Sequence, residues 1–381
     1  MRTLLLRSAV VLILIVAAIA GHLTRLLFGF EAGLIVLLLV FVGLPAAIPA
    51  AAIAVNAPNF LNIGTPERRW LASASEIYAF WRAFVVLMPF DTFWMGDEKV
   101  LAHAPDETPI VLVPGYCCNR GMWFDLARDL EAAGRKVAPV TLGWTFADID
   151  ELADELDQHI ARVKQQTGAE KVLLVGHSKG GLVARARIAR RGGDDVAGLI
   201  TLATPNHGTS FAKFGLGRSA RQMEPDSPWL QALNAKETSV PVHAFWAGRD
   251  EFVSPPDAAR LQGAPETCAP LAGHLSVIDQ PEVLKKILAF SEPAAKRAPS
   301  VALNPQPEPP LVVVAPVEAA PAVEAAPVVE ETPIIVVAPP AAPAPVVVEA
   351  VEPAPSVAEA AVEAVAPPPA PAAQEQPVAG A

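Results

Sequence analysis

Five residues near the middle of the chain have the types and the spacing of a nucleophilic serine site. Gly176-His177-Ser178-Lys179-Gly180 matches the pattern Gly-x-Ser-x-Gly. In such a turn the two glycines let a strand and a helix approach closely, and the serine projects from the bend between them. A serine hydroxyl becomes a useful nucleophile when a neighbouring base takes its proton. The pattern therefore predicts Ser178 as a nucleophile and requires a base elsewhere in the chain.

The base is expected to be a histidine that follows an acidic residue, since the chain order in this arrangement is serine, acid, histidine. Three histidines follow Ser178, namely His207, His243 and His274. No acidic strand end precedes His207, and His243 lies inside a strand pattern. His274 stands in a loop just before the last predicted helix. We therefore predict that His274 is the general base.

The acid is expected where the strand predicted over residues 242–247 ends. Gly248-Arg249-Asp250-Glu251 follows that strand directly. We predict Asp250 as the acid, with Glu251 as the second choice and Asp257 as the third. Its role would be to orient the imidazole and to stabilise the imidazolium ion without accepting the proton itself.

The tetrahedral intermediate of such a reaction needs two hydrogen-bond donors for its oxyanion. One predicted donor is the backbone N–H of Lys179, which directly follows the serine. The other is the backbone N–H of Tyr116, in the loop after the strand predicted over residues 110–113. The side chain of Lys179 is expected to be a surface charge.

The elements that must position these residues alternate between strand and helix patterns from Pro109 onward. This alternation predicts an α/β fold with a mostly parallel sheet and helices on both faces. It also places Ser178 between a strand and a helix, as the turn requires. Strand patterns cover residues 110–113, 137–141, 171–175, 197–203 and 242–247, and helical patterns cover residues 123–133, 149–166, 180–190 and 281–290.

Two apolar runs, at about residues 4–20 and 32–55, precede this region. A helix of ~20 apolar residues spans the hydrocarbon core of a bilayer, and neither run has the amphipathic face of a buried core helix. We predict a membrane anchor over residues 1–55. Arg2 and Arg7 before the first run favour a helical hairpin with both ends, and hence the catalytic domain, on the cytoplasmic face of a bacterial inner membrane. A second run that does not span would leave the domain outside.

Residues 56–107 are predicted to be a linker that contains an amphipathic helix. Trp70, Ile77, Trp81 and Phe84 recur there at helical spacing. Two interpretations remain open. The helix could pack on the following domain, or it could lie in the headgroup region of a membrane, where tryptophan is favoured.

The last part of the chain, residues 293–381, is rich in Pro, Ala, Val and Glu and is predicted to be a disordered tail. Residues 299–381 contain ten Glu and no Lys or Arg, so almost all of the net charge of -11 belongs to the tail. The remaining chain is nearly neutral and has no basic patch, which excludes nucleic acid as a partner. The sequence does not identify a partner of the tail.

Five segments, taken together and in this order, resemble the bacterial triacylglycerol lipase and esterase group of α/β-hydrolases. The resemblance covers about residues 108–290. It implies the α/β-hydrolase fold, a Ser178-Asp250-His274 triad, and hydrolysis of carboxylic acyl esters through an acyl-enzyme. The matching segments are Val111-Leu112-Val113-Pro114-Gly115-Tyr116, Gly176-His177-Ser178-Lys179-Gly180-Gly181, Thr201-Leu202-Ala203-Thr204-Pro205-Asn206-His207-Gly208-Thr209, Gly248-Arg249-Asp250 and Gly273-His274.

The chain departs from that group in two places. Pro114-Gly115 stands where the group usually has His-Gly, which affects the oxyanion loop. Secreted members of the group often hold calcium through aspartates near the histidine loop, where this chain offers only Asp279. We therefore predict an enzyme with no cofactor and no metal.

An insertion over residues 211–236 is predicted to cap the substrate pocket. Phe214, Trp229 and Leu230 are the predicted contacts to an acyl ester or lipid substrate, and the alternative is that the insertion only packs on the core. Two other functions remain open at this point. The same triad could serve an acyltransferase or a thioesterase, and the chain could be a non-catalytic membrane scaffold.

Overall fold

The computed structural model describes residues 2–60, 64–97 and 100–292, so the tail predicted over residues 293–381 lies outside the described residues. The helices are α1 (Arg2–Phe28), α2 (Phe30–Phe60), α3 (Pro66–Trp81), α4 (Asp91–Met95), α5 (Phe124–Ala132), α6 (Ile149–Thr167), α7 (Lys179–Arg191), α8 (Gly217–Gln222), α9 (Pro228–Asn234) and α10 (Pro281–Ser291). The strands are β1 (Ile110–Val113), β2 (Val137–Pro139), β3 (Val172–His177), β4 (Val196–Leu202), β5 (Val242–Ala247) and β6 (Glu266–Ala269).

The six strands form one parallel sheet in the order β2-β1-β3-β4-β5-β6. Every residue of β1 and β3 is buried, as expected for strands that helices cover on both faces. The predicted parallel α/β fold is confirmed. Because the carboxyl ends of parallel strands meet at one edge of the sheet, the loops after β1, β3 and β5 bring Tyr116, Ser178 and Asp250 to that edge.

The first two helices pack against each other as a hairpin with its turn at Gly29. Gly21 and Gly33 allow the close approach, because a Cβ atom on Gly21 would lie 2.7 Å from the carbonyl oxygen of Gly33. Both helices are longer than the predicted apolar runs, and both are long and apolar enough to span a membrane. Most of their large apolar side chains point away from the protein.

Polar contacts fix both free ends of the hairpin to the rest of the protein. Near the start of α1, Arg7 Nε donates to the carbonyl oxygen of Pro89 at 2.7 Å. Near the end of α2, Asn56 Nδ2 donates to the carbonyl oxygen of Glu251 at 2.6 Å. The hairpin is therefore attached to the domain through side chains as well as through the chain connection.

The segment between the hairpin and the sheet begins with α3 and continues through a π-helical turn, Arg82–Leu87. Thr65 accepts a hydrogen bond from the third residue of α3, and Pro66 occupies a position where a missing N–H is tolerated. Phe80 and Met88 are buried in the core on one face of the sheet, whereas Trp70 at the start of α3 is exposed. This segment therefore contributes to the core of the domain from Phe80 onward.

Candidate active site

Ser178 occupies the tight bend between β3 and α7. Its backbone has φ +52° and ψ −127°, which is strained for a residue with a side chain and matches the expected turn. A Cβ atom on Gly176 would lie 2.6 Å from the backbone of Gly181, so only glycine lets the strand and the helix approach this closely. The sequence around the serine thus folds into a nucleophile elbow.

His274 and Asp250 form a hydrogen-bonded pair near this bend. His274 Nδ1 donates to Asp250, with distances of 2.9 Å to Oδ1 and 3.0 Å to Oδ2. The carboxylate is fully buried, and its Oδ1 also accepts the backbone N–H groups of Phe252 and Val253 at 3.0 and 2.7 Å. Because an ionised carboxylate only accepts, the proton of a neutral His274 lies on Nδ1 and Nε2 carries the basic lone pair.

Burial and the neighbouring carboxylates have opposite effects on the pKa of His274. Burial favours the neutral ring, but attraction to Asp250, the hydrogen bond to it and the charge of Glu76 outweigh burial and raise the pKa of His274 above its usual value. A base with a raised pKa is a stronger proton acceptor. It is also protonated over a wider range of pH, so it acts as a base only above that pKa.

His177, which directly precedes the serine, holds the backbone of the histidine loop. Its Nε2 donates to the carbonyl oxygen of His274 at 2.8 Å, and the two rings lie 4.7 Å apart. Burial, followed by the charge of His274, lowers the pKa of His177 well below its usual value, so the ring stays neutral and keeps its single donor proton. The sequence alone did not predict this contact of His177.

Two buried glutamates also hold the histidine loop. Glu76 of α3 accepts the backbone N–H of Leu275 with Oε1 at 2.7 Å and that of Ser276 with Oε2 at 2.9 Å. Glu251 Oε2 accepts the backbone N–H of His274 at 3.1 Å. Burial, and then the negative charges of Glu76 and Asp250, raise the pKa of Glu251 well above its usual value. Glu251 contacts the backbone of the histidine rather than its ring.

The other candidates for base and acid lie elsewhere. His207 is exposed, and Asp257 is an exposed residue of the 3-10 turn Pro256–Ala259. His243 pairs with Thr267 Oγ1 through Nε2 at 2.9 Å on the strand edge. Burial lowers the pKa of His243 to about 4. The structure does not bring any of these three residues to Ser178.

The loop after β1 packs directly on the serine. A Cβ atom on Gly115 would lie 3.1 Å from Ser178 Cβ, so the backbone of this loop passes within contact of the nucleophile. Tyr116 follows at once, and Cys117 has a positive φ of 58° with its N–H donated to Thr145 Oγ1 at 2.8 Å. This bend turns the loop back over the start of α7, where Lys179 begins the helix.

The expectation that the Lys179 side chain is a surface charge is wrong. Lys179 is 1% exposed, its Nζ donates to the carbonyl oxygen of Thr145 at 2.7 Å, and it lies 5.4 Å from the centre of the Tyr116 ring. Burial of an ammonium group requires such partners. The sequence around Lys179 does not indicate the distant carbonyl oxygen of Thr145 that accepts from its Nζ.

A cavity of about 590 Å³ contains both Ser178 and His274. Its walls are mainly apolar, and one of them is formed by α2. Of the three predicted substrate contacts, Phe214 lines the cavity, whereas Trp229 and Leu230 do not. Leu230 is 2% exposed and packs in the core, because α9 turns its apolar face toward α7.

The insertion reaches the cavity through its first part only. Tyr116 Oη donates to the carbonyl oxygen of Leu216 and accepts the N–H of the same residue, both at 2.7 Å. Burial raises the pKa of Tyr116 to about 12, so the hydroxyl keeps its proton and makes both bonds. These bonds attach the insertion to the loop that packs on Ser178.

A family described as "alpha/beta hydrolase fold" matches residues 108–225. These residues contain β1 to β4, the serine bend and the first part of the insertion. This part of the chain has the α/β-hydrolase fold. The fold that the sequence resemblance implied is thus confirmed.

Proteins similar to this chain include enzymes with ester substrates in their names. A triacylglycerol lipase from Pseudarthrobacter phenanthrenivorans is 35% identical over 121 residues, which are 29% of this chain and 37% of the lipase. Methylesterase 3 from Arabidopsis thaliana is 28% identical over 170 residues, 42% of this chain and 61% of the relative. A lipase from Bacillus licheniformis superposes with a TM-score of 0.41 at 19% identity, covering 47% and 90% of the two chains. The chain spans between a third and two thirds of the curated relatives it matches.

Calcium was the one metal that the resemblance raised. Across residues 2–60, 64–97 and 100–292, no three His, Cys, Asp or Glu side chains gather into a metal site. Burial, and then repulsion from Asp125, raise the pKa of Asp279 to about 6. A carboxylate that is already hard to ionise is a poor first ligand for a hard cation.

Proposed function

We propose that this protein is a membrane-bound serine hydrolase that cleaves carboxylic acyl esters, with Ser178, His274 and Asp250 as its triad. The proposal rests chiefly on one observation. His274, which is buried and paired with Asp250 at 2.9 Å, lines the same apolar cavity as a serine held at a strained strand-to-helix bend. The names of the relatives, a lipase and a methylesterase, support an ester as the bond that is cleaved.

The reaction begins when His274 Nε2 takes the proton of Ser178 Oγ and the oxygen attacks the acyl carbon. The backbone N–H groups of Tyr116 and Lys179 are the proposed donors to the oxyanion that forms. When this intermediate collapses, the bond to the alcohol oxygen breaks and the alcohol leaves with the proton from His274. Water then attacks the acyl-enzyme by the same steps, which releases the carboxylic acid and restores Ser178.

Each supporting residue has a place in this scheme. Asp250 fixes the His274 tautomer and stabilises the imidazolium ion. Glu76, Glu251 and His177 hold the backbone around His274, so the ring keeps its position while its charge changes. Such preorganisation matters because a displacement of the base by about 1 Å can reduce the rate 10²-fold.

The proposed location is a bacterial inner membrane, with α1 and α2 as a spanning hairpin and the domain of residues 108–292 on the cytoplasmic face. The start of α1 contacts Pro89 and the end of α2 contacts Glu251, which fits a position of both hairpin ends on the same side of the membrane as the domain. The proposed partners are the membrane and a lipid or acyl ester, without nucleic acid.

The test is covalent labelling of the full chain in membranes with a fluorophosphonate probe, which reacts with activated serines. The wild type should be labelled at Ser178, and Ser178→Ala should abolish the label. Ser75→Ala is the matched control, because Ser75 is an exposed serine of α3 outside the proposed triad, and it should keep the label at Ser178. Undiminished labelling of Ser178→Ala would refute the assignment of the nucleophile.

A further inference from the structure

Helix α2 forms one wall of the active-site cavity, and it does so with a single face. Ile48, Ala51, Ala52 and Val55 line the cavity together with Ser178. The spacing 48, 51, 52, 55 places these four side chains on one face of a helix with 3.6 residues per turn. Ala52 is buried, whereas Ile48 and Val55 are more than half exposed. The wall therefore borders the cavity on one side and the surroundings of α2 on the other.

The position of this wall along α2 corresponds to the edge of a bilayer. The apolar run of α2 begins after Glu31 at the tip of the hairpin. Counting the ~20 residues that cross a hydrocarbon core from Ala32 ends near Ala51. The ester groups of lipids lie at this boundary between hydrocarbon and headgroups. The cavity thus meets the membrane at the depth of the bond that the proposed reaction cleaves.

The lining of the cavity suits an alkyl chain. Among the described residues, no Asp, Glu, Lys or Arg side chain lines it. A charged group in such a space would be left without a partner, while each buried methylene is favourable. Ala51 and Ala52 are small, so this part of the wall leaves room beside the helix.

The wall is also fixed in place relative to the triad. Asn56, one residue past Val55, is buried and donates to the carbonyl oxygen of Glu251 at 2.6 Å. Its Oδ1 accepts from Ser254 Oγ at 2.6 Å. These contacts attach α2 to the loop that also carries Asp250. A helix that served only as a tether would need no such contacts with the acid loop.

We propose that α2 is a wall of the acyl-binding site as well as a membrane span, so that a bilayer-resident acyl lipid enters the cavity sideways along Ile48, Ala51, Ala52 and Val55. This inference rests on the proposed ester hydrolysis. It assigns the membrane helix a part in substrate selection, with Ala51 and Ala52 leaving room for a long acyl chain.

The test measures kcat/KM of the full chain in proteoliposomes for p-nitrophenyl esters from C4 to C16, with Ala51→Trp and the matched control Ala50→Trp. Ala50 is an exposed alanine outside the cavity lining, on the opposite side of α2. The wild type should gain up to about fourfold per methylene until the cavity is filled. Ala51→Trp should lose at least about tenfold on C16 and stay within twofold on C4. Ala50→Trp should match the wild type on both esters.

An unchanged chain-length profile in Ala51→Trp, or an equal loss in Ala50→Trp, would overturn the proposal. Failure of the proposed function looks different, because it removes Ser178-dependent turnover of every ester, C4 included. Should Ala51→Trp not fold, Ala51→Leu replaces it and should shift the preferred ester to a shorter chain.

A second measurement does not depend on turnover. Full-length Ser178→Ala in vesicles is irradiated with a palmitoyl ester that carries a diazirine on its acyl chain. Crosslinks within residues 48–55 support the α2 wall. Crosslinks confined to the insertion, at Phe211 or Phe214 for example, contradict it.

Discussion

At the scale of single residues, the proposed site consists of the His274–Asp250 pair and several groups that hold the backbone around His274. His274 donates a charge-assisted hydrogen bond to Asp250. His177, Glu76 and Glu251 contact the main chain of residues 274–276. Three side chains from separate parts of the chain thus fix one loop. We expect their effects to appear in the position and the pKa of His274.

The pH dependence of the reaction follows from His274. Its pKa is raised above the usual value of about 6.5, and the base must be neutral to accept the serine proton. Activity should therefore fall as pH decreases through a midpoint above 6.5. The kcat/KM profile of a short ester between pH 5 and 9 measures this midpoint. A flat profile down to pH 5.5 would contradict the role of His274 as base.

Glu76 provides a prediction for a residue outside the triad. Glu76→Gln removes a negative charge that raises the pKa of His274 and replaces one acceptor by a donor that faces a backbone N–H. The midpoint of the pH profile should move to lower pH. The free energy of unfolding should fall by about 1–3 kcal/mol, because a buried donor loses its acceptor.

The control for this substitution is Glu67→Gln on the same helix, at an exposed position. It should leave both the pH midpoint and the melting temperature as in the wild type. If Glu76→Gln lowers the melting temperature and leaves the midpoint in place, Glu76 is a structural residue without influence on the base.

At the scale of elements, the sequence predicted the strands and helices whose signals lie in neighbouring residues. The runs at 110–113 and 172–175 and the glycines around Ser178 carry their structure in a few neighbouring residues, and the observed β1, β3 and α7 agree with the prediction within a residue or two. The order of acid and histidine along the chain predicted the pair that the structure brings together.

Long-range contacts were not predictable in this way. Glu76 accepts from Leu275 and Ser276, which lie about 200 positions away, and nothing near Glu76 indicates those donors. Lys179 was expected at the surface for the same reason, since its acceptor belongs to Thr145. Helical spacing around Trp81 predicted a helix, but spacing alone did not distinguish a core partner from a membrane surface.

The contact between α2 and the acid loop gives a prediction at this scale. Asn56→Ala removes a donor to Glu251 O and an acceptor of Ser254 Oγ, both buried. We expect a loss of about 1–3 kcal/mol in stability and a reduced kcat, since Asp250 belongs to the same loop. Activity assays and thermal melts in detergent measure both effects.

Asn59→Ala is the comparison for this contact, because Asn59 is exposed and its Nδ2 donates to Asn56 Oδ1 at 3.0 Å and to Ser254 Oγ at 3.1 Å. It should reduce stability and kcat less than Asn56→Ala does. Membrane insertion, measured by resistance to carbonate extraction, should be unchanged in both variants. Equal effects of the two substitutions would argue against a specific role of Asn56.

At the scale of the whole molecule, the hairpin and the hydrolase domain act as one unit in this account. The hairpin is long and apolar enough to span a membrane, and α2 also borders the cavity that contains Ser178. The start of α1 contacts Pro89 and the end of α2 contacts Glu251, so a spanning hairpin places the domain on one face and the turn near Gly29 on the other.

The predicted facing can be measured in cells. With the domain on the cytoplasmic side, added protease should leave it intact in whole cells and degrade it in inverted vesicles. Phe28→Cys, an exposed position at the hairpin turn, should react with a membrane-impermeant maleimide from outside. Degradation of the domain in intact cells would reverse the orientation and leave the proposed chemistry unchanged.

The central claim, ester hydrolysis by the Ser178-His274-Asp250 triad, is tested most directly by steady-state kinetics of the full chain on a p-nitrophenyl ester series. Ser178→Ala should lower kcat by at least about 10³-fold, and Asp250→Asn by about 10⁴-fold through the wrong histidine tautomer. Both variants should keep the melting behaviour of a folded protein. Turnover of every ester in Ser178→Ala at the wild-type rate would contradict the account.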